Sequence, residues 1–148
     1  VHIMSKYPSI WIEKVRDYAD NIFFHYEINE KIEEIIDQNK KCRNKLGLAV
    51  SVNTRFEDYK NSIKLFDKML FLTIKKPGYS GQQLVDKSYE YIDKINLHTK
   101  NTNFTLCVDG GVNIHNIKNI KADEIVSGSY ILKNQDPTKA LLSIKFSV

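Results

Sequence analysis

Six short apolar runs punctuate this chain: Val1–Met4, Asn21–His25, Lys45–Val50, Lys68–Ile74, Asn103–Val108 and Glu124–Gly128. Longer stretches with the apolar spacing of helices separate them. Strands joined through a helix run parallel, because the helix carries the chain back to the starting edge of the sheet before the next strand begins. The fourth run, with Met69, Leu70, Phe71, Leu72 and Ile74, is almost wholly apolar, as expected of a strand covered on both faces. The alternation therefore predicts an α/β chain built on an enclosed parallel sheet.

The helical stretches are read as follows. Ile10–Tyr18 follows the start signal Pro8-Ser9 and would bury Ile10, Trp11, Val15 and Tyr18. Ile28–Asn39 would bury Ile32, Ile35 and Ile36, and Gln83–Leu97 would bury Leu84, Tyr91, Ile92 and Ile95. Further helices are expected after Asn53, after Asn113 and after Asp136, the last opened by Asp136-Pro137. Units of this size suit a (β/α)8 barrel. An open doubly wound sheet is the alternative, but its glycine-rich turn after the first strand is missing, and Met4-Ser5-Lys6-Tyr7-Pro8 stands there instead. The expectation is an α/β (β/α)8 TIM barrel without its first two βα units, residues 1–148 forming a single domain of the six C-terminal units.

Composition narrows the function. The 148 residues carry 22 Lys+Arg against 18 Asp+Glu, a net charge of +4, and the lysines alternate with acids, as in Lys31, Glu33, Glu34, Asp37 and Lys40. That pattern predicts a solvated surface with no nucleic-acid partner. No apolar stretch approaches the ~18 to 20 residues of a membrane-spanning helix, so no membrane partner is expected. Cys42 and Cys107 lie far apart and outside any CxxC spacing, which suggests neither a disulfide framework nor a zinc ribbon and fits a reducing, cytoplasmic setting. The opening Val1-His2-Ile3-Met4 lacks an initiator methionine, and the chain is expected to begin inside a longer one.

Five of the six glycines follow predicted strands: Gly78 and Gly81, Gly110 and Gly111, and Gly128. Segments after strand C-termini form one rim of a parallel barrel, where glycine lets backbone N–H groups approach an anion closely. Any one of these glycines makes only a tight turn, but five in three successive loops predict a phosphate cradle. Asp109, at the end of Leu106-Cys107-Val108, points into the same rim as a metal ligand, a proton-transfer group or a cap for the stretch beginning near Asn113. His2 and His25 sit on neighbouring strands on the rim side and serve either packing or metal and acid/base chemistry. His98 and His115 read as surface residues.

Together, Val1-His2-Ile3-Met4, Phe24-His25-Tyr26-Glu27, Gly47-Leu48-Ala49, the segment from Leu72 through Pro77-Gly78-Tyr79-Ser80-Gly81-Gln82, Val108-Asp109-Gly110-Gly111-Val112-Asn113 and Val126-Ser127-Gly128-Ser129 resemble the ribulose-phosphate 3-epimerases. The resemblance implies a phosphate-binding barrel that inverts C3 of a ketopentose 5-phosphate, interconverting ribulose 5-phosphate and xylulose 5-phosphate. Two aspartates on opposite faces of an enediolate exchange protons there, and a divalent metal (zinc, iron or manganese) stabilises the developing charge. By the same resemblance His2 is a metal ligand, and Asp109 is both a metal ligand and one acid/base group. His2, Gly78, Tyr79, Ser80, Gly81, Gly110, Gly111, Gly128 and Ser129 bind the sugar phosphate, and Met4 and Leu72 stand where methionines wall the intermediate. His25 takes a supporting role behind them.

The departures are specific. The family's opposing aspartate, another metal-ligand histidine and an upstream serine belong to two strands this sequence does not contain. Leu72 replaces a methionine, Ser80 a glycine, and Ser51-Val52-Asn53-Thr54 an Asn-Pro-x-Thr turn, while the Asn113-to-Gly128 segment is shorter. Three other readings stand beside the leading one: an epimerase for another ketose phosphate such as a hexulose 6-phosphate, an inactive sugar-phosphate-binding remnant whose edges a homo-oligomer covers, and an unrelated phosphate-binding barrel such as a decarboxylase or an isomerase of amino-acid biosynthesis.

Overall fold

The computed structural model describes residues 1–147, apart from the side chains of Arg43 and Asn44; Val148, the last residue of the expected domain, lies outside the described residues. Six strands form one sheet: β1 (His2–Ile3), β2 (Ile22–His25), β3 (Leu46–Ser51), β4 (Lys68–Leu72), β5 (Thr105–Asp109) and β6 (Glu124–Val126). Every neighbouring pair is parallel, and the spatial order is the chain order, β1 to β6. A doubly wound sheet would reverse its order partway. This one does not, and it curls into a parallel α/β half-barrel, in keeping with part of a TIM barrel.

Alternation along the strands separates two apolar regions. Leu46, Leu48 and Val50 of β3, Met69 and Phe71 of β4, and Leu106 and Val108 of β5 face the helices and join the main core with Ile12, Phe24, Ile35, Ile92 and Ile95. The other face holds a smaller cluster of Ala49, Leu70, Leu72 and Cys107, with Phe23 packed against it. Gly47 on this inner face is required: a Cβ there would lie 2.6 Å from the Phe23 ring and 3.0 Å from Lys68 Cγ. Small residues on β3 thus let the concave face close on Phe23.

The helices are α1 (Ser9–Val15), α2 (Ile32–Gln38), α3 (Phe56–Tyr59), α4 (Lys87–His98), α5 (Ser129–Leu132) and α6 (Pro137–Lys145). Several sequence expectations are corrected. On α1 the inward stripe is buried Ile12, partly buried Val15 and, beyond the helix, buried Ala19; Ile10 and Trp11 are about half exposed (57% and 49%) and Tyr18 almost fully so. Spacings of three and four residues place Ile12, Val15 and Ala19 on one side. Trp11 is left to cover itself with the Lys14 ammonium, 4.9 Å from its ring.

Two helices start later than expected. Residues 28–31 stay outside α2 because Asn29 N–H is spent on Lys6 C=O (2.9 Å), tying this segment to the turn after β1. Residues 83–86 stay outside α4 because Val85 N–H donates to Thr73 C=O (2.8 Å), holding the chain against the end of β4. The helix expected after Asn113 is only a 3-10 turn, Ile117–Asn119. Asn113 Oδ1 accepts from His115 N–H, Asn116 Oδ1 accepts from Asn113 N–H, and both side-chain amides donate to Gly111 C=O. Asparagines that capture the backbone in this way compete with helix. By contrast α6 begins where Asp136-Pro137 predicts, with Asp136 Oδ1 accepting from Lys139 N–H at 2.9 Å.

Candidate functional site

The ends of β4, β5 and β6 open onto a cavity of about 760 Å³, walled at one point by Met4 from the turn after β1. Of the residues singled out in the sequence, Met4, Gly78, Tyr79, Ser80, Gly81, Asp109, Gly110, Gly111, Gly128 and Ser129 all line it. His2 and Leu72 do not. Leu72 is buried in the inner-face cluster beneath, in register with Asp109.

The rim loops are fixed by their own chemistry. Gly110 and Gly111 have φ of +118° and +70°, a region that L side chains rarely adopt. A Cβ on Gly111 would lie 2.3 Å from Leu84 N, so the β5 loop and the segment before α4 interlock through bare backbone. Thr73, fully buried, donates from N–H to Asp109 C=O at 2.9 Å and from its hydroxyl to Gly110 C=O. The β4 loop is braced by Gln82, whose amide donates to Lys76 C=O and Tyr79 C=O (both 2.7 Å) and accepts from Lys76 N–H. Ser127 Oγ donates to Val112 C=O at 2.8 Å and joins the β6 loop to the β5 loop. Three loops from three strands therefore hold one another in place.

Asp109 is the only Asp or Glu among the residues lining the cavity. Burial pushes its carboxyl above the ordinary aspartate range, as a carboxylate withdrawn from water must be. It caps no helix, because the chain beyond it forms only the 3-10 turn.

His2 stands apart. Its Nε2 lies 2.9 Å from His25 Nε2, with the two rings stacked at 4.9 Å. His25 Nδ1 in turn meets Glu27 Oε2 at 2.9 Å. Glu27 Oε1 accepts from Ser51 N–H at 3.0 Å and from the Thr54 hydroxyl. Burial and the nearby His25 push the His2 pKa down to about 4. Burial alone would raise Glu27, but the hydrogen bonds from His25, Thr54 and Ser51 outweigh it and hold the carboxylate below its usual range. Glu27 is the residue sequence reasoning missed. Its signal was the two-residue spacing from His25, which keeps both on one side of an extended segment. His98 is likewise no simple surface residue: it is half-buried, edge-on to Phe56, with Nε2 unpartnered among the described residues, whereas His115 is exposed beside the cavity.

Among the described residues no three His, Cys, Asp or Glu side chains converge as a metal site. His2 and Asp109 offer one nitrogen and one carboxylate, and His2 is engaged with His25. Two donors fall short of the three or four protein ligands of a typical transition-metal centre.

A sequentially ordered parallel half-barrel with its cavity at the C-terminal ends of the strands defines a partial α/β barrel of the TIM type. The chain belongs to the ribulose-phosphate 3 epimerase family, whose model matches residues 1–132. It is similar to the ribulose-phosphate 3-epimerase of Chlamydia muridarum, 31% identical over 141 residues that cover 90% of this chain and 61% of that protein. The ribulose-phosphate 3-epimerase of Schizosaccharomyces pombe is 28% identical over 99% of this chain and 65% of its own length. That of Aquifex aeolicus is also 28% identical, over 99% of this chain and 69% of its own length. The chain thus spans under two-thirds of the first two of these relatives.

Proposed function

We propose that the protein is a ribulose-phosphate 3-epimerase, and that these residues form the six C-terminal βα units of its barrel. The reading rests on one observation above all: Asp109 and the glycines of three successive rim loops face a single cavity. A ketopentose 5-phosphate would set its phosphate among Gly78–Gly81, Gly110, Gly111, Gly128 and Ser129, and its C3–H toward Asp109. Burial favours the protonated form of Asp109 and so makes its carboxylate a stronger base, which is what removing a weakly acidic proton beside a ketone requires. Return of a proton to the opposite face needs a second acid, and Asp109 is the only carboxylate in the cavity. That group would come from outside the described residues. Of the donors that the divalent metal implied by the resemblance would need, the described residues supply His2 and Asp109 at most; the others, like the second acid, would come from outside them, and no step is assigned to the metal.

The test is Asp109→Asn in the complete natural polypeptide. Turnover of ribulose 5-phosphate and exchange of its C3 hydrogen with deuterated solvent should both fall at least ~100-fold, the usual share of a general base. Unchanged exchange would refute the assignment. The lone carboxylate also favours a second reading for these 148 residues taken by themselves, as a sugar-phosphate-binding unit without turnover.

A further inference from the structure

We propose that Lys133 is the cationic anchor of the phosphate cradle and sets the preference of this cavity for phosphorylated over unphosphorylated sugars. The inference rests on the sugar-phosphate reading above and adds to it a residue that neither the glycine pattern nor the family motifs single out. Lys133 follows α5 and lines the same cavity as the three glycine loops. Its Nζ reaches across to the β4 loop, lying 3.0 Å from where a Cβ on Gly81 would stand. Gly81 has φ +81° and no side chain, so the approach brings the ammonium against bare loop backbone.

The charge is free to act. Lys133 pairs with no carboxylate among the described residues, whereas Lys31, Lys40, Lys60, Lys94 and Lys121 each have an acidic partner. It is the only Lys or Arg among the cavity-lining residues; Lys75 and Lys76, in the β4 loop itself, do not line the cavity. The one carboxylate there, Asp109, belongs to β5, and Lys133 forms no ion pair with it. The cavity therefore carries a cation against the β4 loop and an acid at the end of β5. A ligand with a dianionic phosphate at one end and a neutral, proton-yielding carbon along its length matches that polarity. Backbone N–H groups orient a phosphate, but they are dipoles; a lysine adds a full point charge on a flexible stem.

The experiment measures binding of inorganic phosphate and of ribulose 5-phosphate by calorimetry to the complete natural polypeptide, to Lys133→Met and to Lys133→Arg. Lys133 is exposed, so its replacement should leave the circular dichroism spectrum unchanged. Lys133→Met should weaken phosphate binding about tenfold, the range for losing one charge-assisted contact, and Lys133→Arg should restore most of it. In turnover, KM for ribulose 5-phosphate should rise by a similar factor with kcat within about twofold, because the interaction is uniform between ground and transition states. Raising salt should weaken binding to the native protein more than to Lys133→Met. Equal phosphate affinity in native and Lys133→Met proteins would overturn the role of Lys133 while leaving the sugar-phosphate reading in place. A native protein that binds neither phosphate nor ribulose 5-phosphate would overturn both.

Discussion

Glu27 receives His25 on one carboxylate oxygen, Oε2 to Nδ1 at 2.9 Å, and gives the other to the Ser51 N–H at the end of β3. A carboxylate only accepts, so the Nδ1 of His25 carries the proton, an assignment made from the hydrogen-bond network. The remaining His25 nitrogen faces His2. Glu27 thus ties three successive strands together at the rim through β1's histidine, β2's histidine and β3's backbone.

Removing that carboxylate should be expensive. Glu27→Ala leaves Ser51 N–H, Thr54 and His25 without their acceptor, and losing partners of this kind costs about 2 kcal/mol or more. Glu27→Gln keeps one acceptor oxygen and should cost less. Urea unfolding of the two variants checks the order; equal stability of Glu27→Ala and the native protein would show that the contacts contribute nothing net. The low pKa of Glu27 gives the sign with pH. Its contribution is present above the unfolded value and disappears as pH falls through the lower folded value, so native and Glu27→Gln stabilities should converge in acid.

His2 offers a sharper pH test. With its pKa lowered to about 4, the folded chain holds His2 neutral where the unfolded chain protonates it near 6.5. Between those two values the unfolded state binds more protons, so stability should fall as pH is lowered from about 6.5 to about 4 and this contribution should level off below that. Proton NMR of the His2 ring should show a midpoint near 4. A midpoint near 6.5 would mean that the ring is solvated and that the contact with His25 does not persist in solution.

How far these features were legible depends on the distance over which each is determined. Strand positions follow from local apolar runs, and all six appear within a few residues of their expected places. The burial of α1 was misjudged because Ile10 and Trp11 look as apolar as Ile12, and only the packed sheet selects the stripe that runs on to Ala19. Helix starts at Ile32 and Lys87 depend on hydrogen bonds from Asn29 to Lys6 and from Val85 to Thr73, which no local pattern announces. The rim glycines were readable because each follows a strand. Glu27 was readable only in part: its two-residue spacing from His25 is local, but its partner Ser51 lies 24 residues away. Lys133 reaches a loop some fifty residues earlier in the chain, a contact that only the curled sheet creates.

The glycines themselves separate two demands that sequence cannot distinguish. Gly111 has φ +70° and backbone 2.3 Å from a built Cβ, so Gly111→Ala meets both a strained conformation and a clash that no side-chain rotation relieves. It should destabilise the fold by more than about 2 kcal/mol and disturb the segment before α4. Gly128 has φ −84° and nothing within 4 Å of its built Cβ. Gly128→Ala should therefore change stability by less than about 0.5 kcal/mol, yet Gly128 lines the cavity in which the phosphate is proposed to meet the loop backbone. Thermal unfolding together with inorganic phosphate titration distinguishes the cases. Gly111→Ala should lower the unfolding temperature, whereas Gly128→Ala should keep it and lose phosphate affinity; retention of both properties in Gly128→Ala would place the phosphate away from the β6 loop.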